Sequence, residues 1–110
     1  MKLIHELKKQ IDSKDVSLWS QSLQIERNNI VTKMGEVEKN IYFVKSGTLR
    51  IFFLDKMDQE HTIRFGYQNS FICSFDSFIN KTPSKFNIQA LRNSELLFID
   101  RKSLMEIINS

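Results

Sequence analysis

The chain opens with apolar residues at helical spacing. Leu3, Ile4, Leu7 and Ile11 share one side, with Lys8 and Lys9 on the other. Asp12 and Ser13 offer cap chemistry for a second short helix holding Val16, Leu18 and Trp19. Neither helix is long enough to stand alone, so both predict docking on something larger. From about residue 22 the period drops to two. Leu23 and Ile25 alternate with Gln24 and Glu26, and Asn28-Asn29 gives a turn signal. Ile30-Val31 begins an extended piece that breaks at Met34-Gly35. Residues 41–44 read as a strand ended by Ser46-Gly47, and residues 48–54 as the next, where Leu49, Ile51 and Phe53 alternate with Arg50. Residues 55–58 look like a hairpin tip, with Asp58 in the left-handed position that Asp tolerates better than most residues. His61, Ile63 and Phe65 form a return strand, broken at Gly66. Phe71-Ile72 is a short apolar piece, residues 76–80 predict one helical turn, and Pro83 marks a loop. Residues 86–91 and 96–99 read as the last strands, parted by Asn93-Ser94. Leu104, Ile107 and Ile108 return to helical spacing over residues 101–108.

The order is therefore two short helices over about 2–20, some eight short strands over about 22–100, and a helix over about 101–109. Short strands at this spacing predict a mainly β, closed or double-sheet architecture with flanking helices, in a single domain spanning 1–110. Composition supports it. Nine Phe stand beside one Ala, Ala90, which argues against a helical bundle. Hydrophobic residues at 41% and charged residues at 26% are ordinary globular usage, enough for one core.

Charge excludes more than it suggests. The net +3 is spread among interleaved acids and bases, without the basic stripe of a nucleic-acid surface. The single cysteine, Cys73, permits no internal disulfide and fits a reducing cytosol. The N-terminus lacks the apolar core of a secretory signal, and no apolar run reaches membrane-spanning length. The expected location is cytoplasmic, with no membrane partner. One cysteine cannot hold an iron–sulfur cluster, and between Phe71-Ile72 and Phe75 it reads as a buried, inert thiol. His5 and His61 do not make a metal set, and His61 reads as a sheet-surface residue. No Ser-His-Asp spacing, Gly-rich phosphate loop or carboxylate pair stands out. The expectation is no catalytic residue, no metal ligand and no enzyme.

One stretch carries more. Gly35-Glu36-Val37-Glu38-Lys39-Asn40-Ile41-Tyr42-Phe43-Val44-Lys45-Ser46-Gly47-Thr48-Leu49-Arg50-Ile51 resembles the first half of a cyclic-nucleotide-binding domain of the CRP/FNR type. That family shows a Gly, an acidic residue, an Ile-Tyr-Phe-Val-like strand, a Gly-ended turn and another strand. The likeness continues through Phe71-Ile72, Phe78, Pro83-Ser84, Ala90 and Ser94-Glu95-Leu96, and so covers roughly residues 20–108. It implies a double-stranded, jelly-roll-like β-roll.

The resemblance also implies a ligand site. In the family a short helix presents its N-terminal N–H groups to a cyclic phosphate. A Gly-Glu pair precedes that helix, and the Glu accepts from the ribose hydroxyl. An Arg further on pairs with the phosphate. Here Cys73-Ser74 stands where Gly-Glu usually stands, and Ser84-Lys85 where Arg followed by Ser or Thr usually stands. Ser74 is a shorter, weaker acceptor than a carboxylate, Ser84 carries no charge, and Asp76 would repel a phosphate. Lys85 offers a point charge, but one position later, on the opposite face of a strand. The residues expected at the pocket are Cys73, Ser74, Phe75, Asp76, Ser84 and Lys85, with Phe75, Phe78 and Phe86 available to close it.

The function so implied is the effector-sensing domain of a CRP/FNR-type transcription regulator. It is not expected to hold cyclic AMP in the usual way. DNA contact would fall to a helix-turn-helix domain that these residues do not include, and a homodimer is within the family's habits. The residues fix no cofactor; a cyclic nucleotide or another small effector is the candidate ligand. Two alternatives stay open: a cyclic-nucleotide-binding domain with an altered cassette, and a ligand-free dimerisation or interaction module.

Overall fold

A computed structural model describes His5, Lys9, Trp19 and residues 21–109. The two helices expected before residue 21 lie outside the described residues, apart from those three positions. Eight strands follow: β1 (Gln21–Ile25), β2 (Ile30–Thr32), β3 (Asn40–Ser46), β4 (Leu49–Leu54), β5 (Glu60–Gly66), β6 (Phe71–Ile72), β7 (Asn87–Ala90) and β8 (Ser94–Asp100). Within residues 21–109 the helices are α1 (Phe75–Asn80) and α2 (Arg101–Ile108), and His5 and Lys9 are also helical. The expected list of helices thus needs one correction. A full six-residue helix sits between β6 and β7, where the pattern promised a single turn.

The strands form two four-stranded sheets, ordered β1-β8-β3-β6 and β2-β7-β4-β5. All strand pairings are antiparallel. Two facing antiparallel sheets of this order make a jelly-roll-like β-roll.

The sequence of β3 shows how the layers assemble. Ile41, Tyr42, Phe43 and Val44 are all buried. Successive side chains on a strand point to opposite faces, so an unbroken apolar run needs cover on both. Tyr42 and Val44 turn inward, to meet Leu49, Ile51, Ile72, Ile88, Ala90 and Leu96 between the sheets. Ile41 and Phe43 turn outward, into a second cluster with Trp19, Phe71, Cys73, Phe78, Ile99 and Leu104. That outer layer is what α1 and α2 cover. Phe71 meets Trp19 and Phe43 edge-on, each at 5.1 Å between ring centroids. Such pairs add about 0.5–1.5 kcal/mol each beyond their buried area.

Caps and turns fix the connections. Asp100 ends β8 and caps α2, its Oδ1 accepting from the Ser103 N–H at 2.6 Å. This bond holds the Asp100 carboxyl below the usual carboxylate range. Arg101 Nη1 donates to the Phe78 carbonyl oxygen at 3.1 Å and so ties α2 to α1. In the β4–β5 hairpin Asp58 takes the left-handed conformation at φ +59. Asp55 Oδ1 accepts there from the Met57 and Gln59 N–H groups at 2.8 and 3.0 Å. His61 lies on the sheet surface, stacked on Phe53 and 2.7 Å from Asp55 Oδ2.

Gly35 and Gly47 both need positive φ, at +95 and +102. Their surroundings differ. A Cβ on Gly35 would meet nothing within 4 Å, whereas one on Gly47 would fall 2.0 Å from Ser94 Oγ.

Candidate functional site

The six residues expected to line one pocket divide three ways. Cys73 and Ser74 follow β6, where alternation sends neighbours to opposite faces. Cys73 joins the outer apolar cluster. Its thiol is pushed well up by burial and by the nearby Glu38 charge, and its Sγ donates to the Asn40 carbonyl oxygen at 3.3 Å. Ser74 is buried on the other side. Phe75 and Asp76 begin α1: Phe75 packs on the outer cluster, while Asp76 is exposed and accepts from Asn80 Nδ2 at 2.8 Å. Ser84 and Lys85 again take opposite sides, Ser84 buried and Lys85 exposed. Of the three phenylalanines expected to close a pocket, Phe78 lies fully in the outer cluster and Phe86 alone packs against the inner one.

What remains inside the roll is a pair of serines. Ser74 and Ser84 are 4% and 3% exposed, and their hydroxyls are hydrogen-bonded to each other at 2.8 Å. Ser84 Oγ also accepts from the Phe86 N–H at 3.1 Å and lies 2.8 Å from the Phe86 carbonyl oxygen. The residues at the family's Glu and Arg positions therefore satisfy each other. Ser74 sits at the N-cap of α1, but its side chain makes no capping bond.

The charge at this end comes from a residue that the spacing did not single out. Glu38, in the β2–β3 loop, is 4% exposed. Its Oε2 accepts from Thr32 Oγ1 at 2.7 Å and from the Ser74 N–H at 3.2 Å. Its Oε1 has one long contact, 3.4 Å from the Asn40 N–H. Its own N–H donates to Ser77 Oγ at 2.8 Å. Burial pushes the Glu38 carboxyl above its ordinary range, against the pull of Thr32 and the nearby backbone N–H groups. No ion pair among the described residues includes it. The Tyr42 hydroxyl beside it is pushed up to about 12, mainly by burial, and stays neutral.

A signal for Glu38 exists only in hindsight. It is one of two acidic residues of the family-like stretch, with Glu36, and it sits between Val37 and Lys39. The structure inverts what polarity suggests, with Val37 40% exposed and Glu38 4%. The β2–β3 loop is pinned at both flanks. Val37 bridges Pro83, and Asn87 Oδ1 accepts from the Met34 N–H at 2.7 Å. Beside this loop lies a cleft of about 390 Å³, lined by Thr32, Lys33, Glu36, Glu38, Asn40 and Tyr42 among others. None of the six expected residues lines it. Among the described residues no cluster of His, Cys, Asp or Glu is placed to hold a metal ion, and no helix is long and apolar enough to cross a membrane.

The cyclic nucleotide-binding domain family matches residues 22–110, and the chain belongs to that family. Among solved structures it resembles the catabolite activator protein of Thermus thermophilus at 21% identity and TM-score 0.78, covering 99% of this chain and 50% of that one. The sensor domain of the transcriptional regulator DNR from Pseudomonas aeruginosa matches at 17% identity and TM-score 0.78, over 99% of this chain and 79% of that one. The cAMP-bound EAL enzyme Bd1971 matches at 16% identity and TM-score 0.71, over 82% of this chain and 24% of that one. The chain thus spans half the length of the Thermus protein and a smaller part of the enzyme, in which the likeness covers 24%. At these identities the likeness is one of fold. No curated protein sequence matches the chain.

Proposed function

We propose that residues 1–110 form one effector-sensing domain of a CRP/FNR-type transcription regulator, and that it does not take a cyclic nucleotide in the family's manner. The observation that carries this reading is the Ser74–Ser84 hydrogen bond. A phosphate held by the family's route needs a cation where Ser84 stands, and a ribose needs a carboxylate where Ser74 stands. Here both positions are buried, neutral and turned on each other. The nearest buried ionisable group, Glu38, is a carboxyl rather than a cation, and it already accepts the Ser74 N–H. A cyclic phosphate entering beside it would find acceptor oxygens and no counter-charge in a poorly hydrated space. Lys85 is exposed on the opposite side of its segment from Ser84.

In this reading the domain catalyses nothing and works in the cytoplasm. It passes an effector signal to a helix-turn-helix domain outside these residues, through a homodimer. Calorimetry and thermal melting with cyclic AMP and cyclic GMP at millimolar concentration test it. The expected result is no heat of binding and an unchanged melting temperature, since occupancy of a native site must raise stability. Saturable micromolar binding of either nucleotide would overturn the reading and establish instead a nucleotide domain with an altered cassette.

A further inference from the structure

The serine pair does not line the cleft beside the β2–β3 loop but adjoins it through Glu38, and the cleft floor has an unusual electrostatic character. Glu38 is 4% exposed, lines the cleft, and has no cationic partner among the described residues. A carboxylate has about four acceptor sites. Two donors converge on Oε2, from Thr32 and Ser74, while the Asn40 N–H reaches Oε1 at a long 3.4 Å and the Lys39 N–H adds the weakest pull on the carboxyl. Oε1 therefore retains accepting capacity in a place where a charge is costly without a counter-charge. The cleft volume of about 390 Å³ falls within the range of small-molecule sites.

The rim carries a second sign. Lys33 and Lys39 line the cleft, and both are exposed. Neither forms an ion pair among the described residues. Glu36, also exposed, offsets one of them. A purely cationic ligand would gain at Glu38 but would have to pass two ammonium groups. A purely anionic one would gain at the rim and be repelled at the floor. The arrangement suits a molecule with both charges.

We infer that this cleft binds a small zwitterion, its ammonium group donating to Glu38 and its acidic group lying at Lys33 and Lys39. This rests on the reading of the domain as effector-sensing and gives that effector a chemical class. It also gives binding a route into the roll, because the same carboxylate holds Thr32 of β2 and the Ser74 N–H that leads into α1.

The test uses the chain itself with glycine, β-alanine, 4-aminobutyrate and the L-amino acids as probes. Butylamine and butyrate serve as single-charge controls. At least one zwitterion should raise the melting temperature and bind saturably by calorimetry, with both controls weaker. Glu38→Gln keeps the acceptor at Oε2 and should weaken binding about tenfold or more, the scale of one charge-assisted hydrogen bond. The double variant Lys33→Met and Lys39→Met changes only exposed side chains, so it keeps the test decisive if Glu38→Gln unfolds; it should also bind more weakly. The inference is overturned if no zwitterion binds, if binding survives Glu38→Gln unchanged, or if butylamine binds as well as its zwitterionic counterpart. Silent nucleotides with silent zwitterions remove this inference alone, whereas nucleotide binding removes the reading beneath it.

Discussion

The space between the two sheets is built differently at its two ends. At one end Val44, Leu49, Ala90 and Leu96 meet at 0% exposure, held by exclusion of water. At the other end Thr32, Glu38, Ser74 and Ser84 are nearly as deeply buried, at 3–5% exposure, and are held by hydrogen bonds. No buried side-chain polar atom among the described residues lacks a partner. The apolar end gains roughly in proportion to the area removed from water. The polar end gains little per bond, but removing one partner strands another in a place that water does not reach. Stability is therefore concentrated at one end and chemical specificity at the other.

Substitutions should separate the two, from the largest effect to the smallest. Leu96→Ala at the apolar end should cost about 2–5 kcal/mol in urea unfolding, from lost burial and an unfilled cavity. A loss below 1 kcal/mol would show that this end is not the one supplying stability. Ser84→Ala at the polar end should cost about 1–3 kcal/mol, because the Ser74 hydroxyl and the Phe86 N–H each lose a partner. A neutral result would mean that water or a shift of the loop replaces the lost hydroxyl.

Acidity gives a third probe. The Glu38 carboxyl is raised on folding, so over the interval between its unfolded and folded values the native chain binds more protons than the unfolded one. The stability contributed by neutral Glu38 is fully present below the unfolded value and lost as pH rises through the folded one. Asp55 and Asp100 are lowered on folding and act in the opposite sense, so the comparison must be between variants. Unfolding free energies across about pH 4–8 should fall less with rising pH in Glu38→Gln than in the parent chain. Of the other ionisable groups at the cleft, Lys33, Glu36 and Lys39 are exposed and Tyr42 titrates far above this range. Parallel profiles would place the Glu38 charge in contact with solvent. Smallest of all, Lys85→Ala should leave the unfolding midpoint where it is, since that side chain is exposed.

The apolar end was legible from the residues because alternation is a local signal. Leu49 and Ile51 announce their strand and its inward face, and the turn at Ser46-Gly47 sets its start. The left-handed Asp58 was legible too, since few residues can take that conformation. The polar end was legible only in part. The family pattern marked Ser74 and Ser84 as substituted positions, and alternation gave Lys85 its opposite face. That the two serines bond each other depends on how β6 and the segment before β7 meet, which no single segment encodes. Glu38 was hidden by polarity itself. In a loop, an acid between Val and Lys reads as solvent-facing, and the pinning of residues 34–38 by Asn87, Ser77, Pro83 and the Ser84 backbone turns it inward. Asp76 went the other way: a charge that reads as belonging to a site lies on the outer face of α1, bonded to Asn80.

The two left-handed glycines carry a consequence for how this domain can drift in evolution. Backbone conformation alone would rank positions 35 and 47 as equals, each open to the few residues that tolerate positive φ. Position 35 has empty space around it, so a replacement there meets the strain of its positive φ but no steric partner. Position 47 is closed by a contact from the far end of the chain, where Ser94 begins the last strand. A new side chain at 47 becomes viable only after residue 94 and its backbone have moved. The β3–β4 turn is thus locked by epistasis as well as by its own geometry, and the route to any replacement also runs through a partner 47 residues away in the chain.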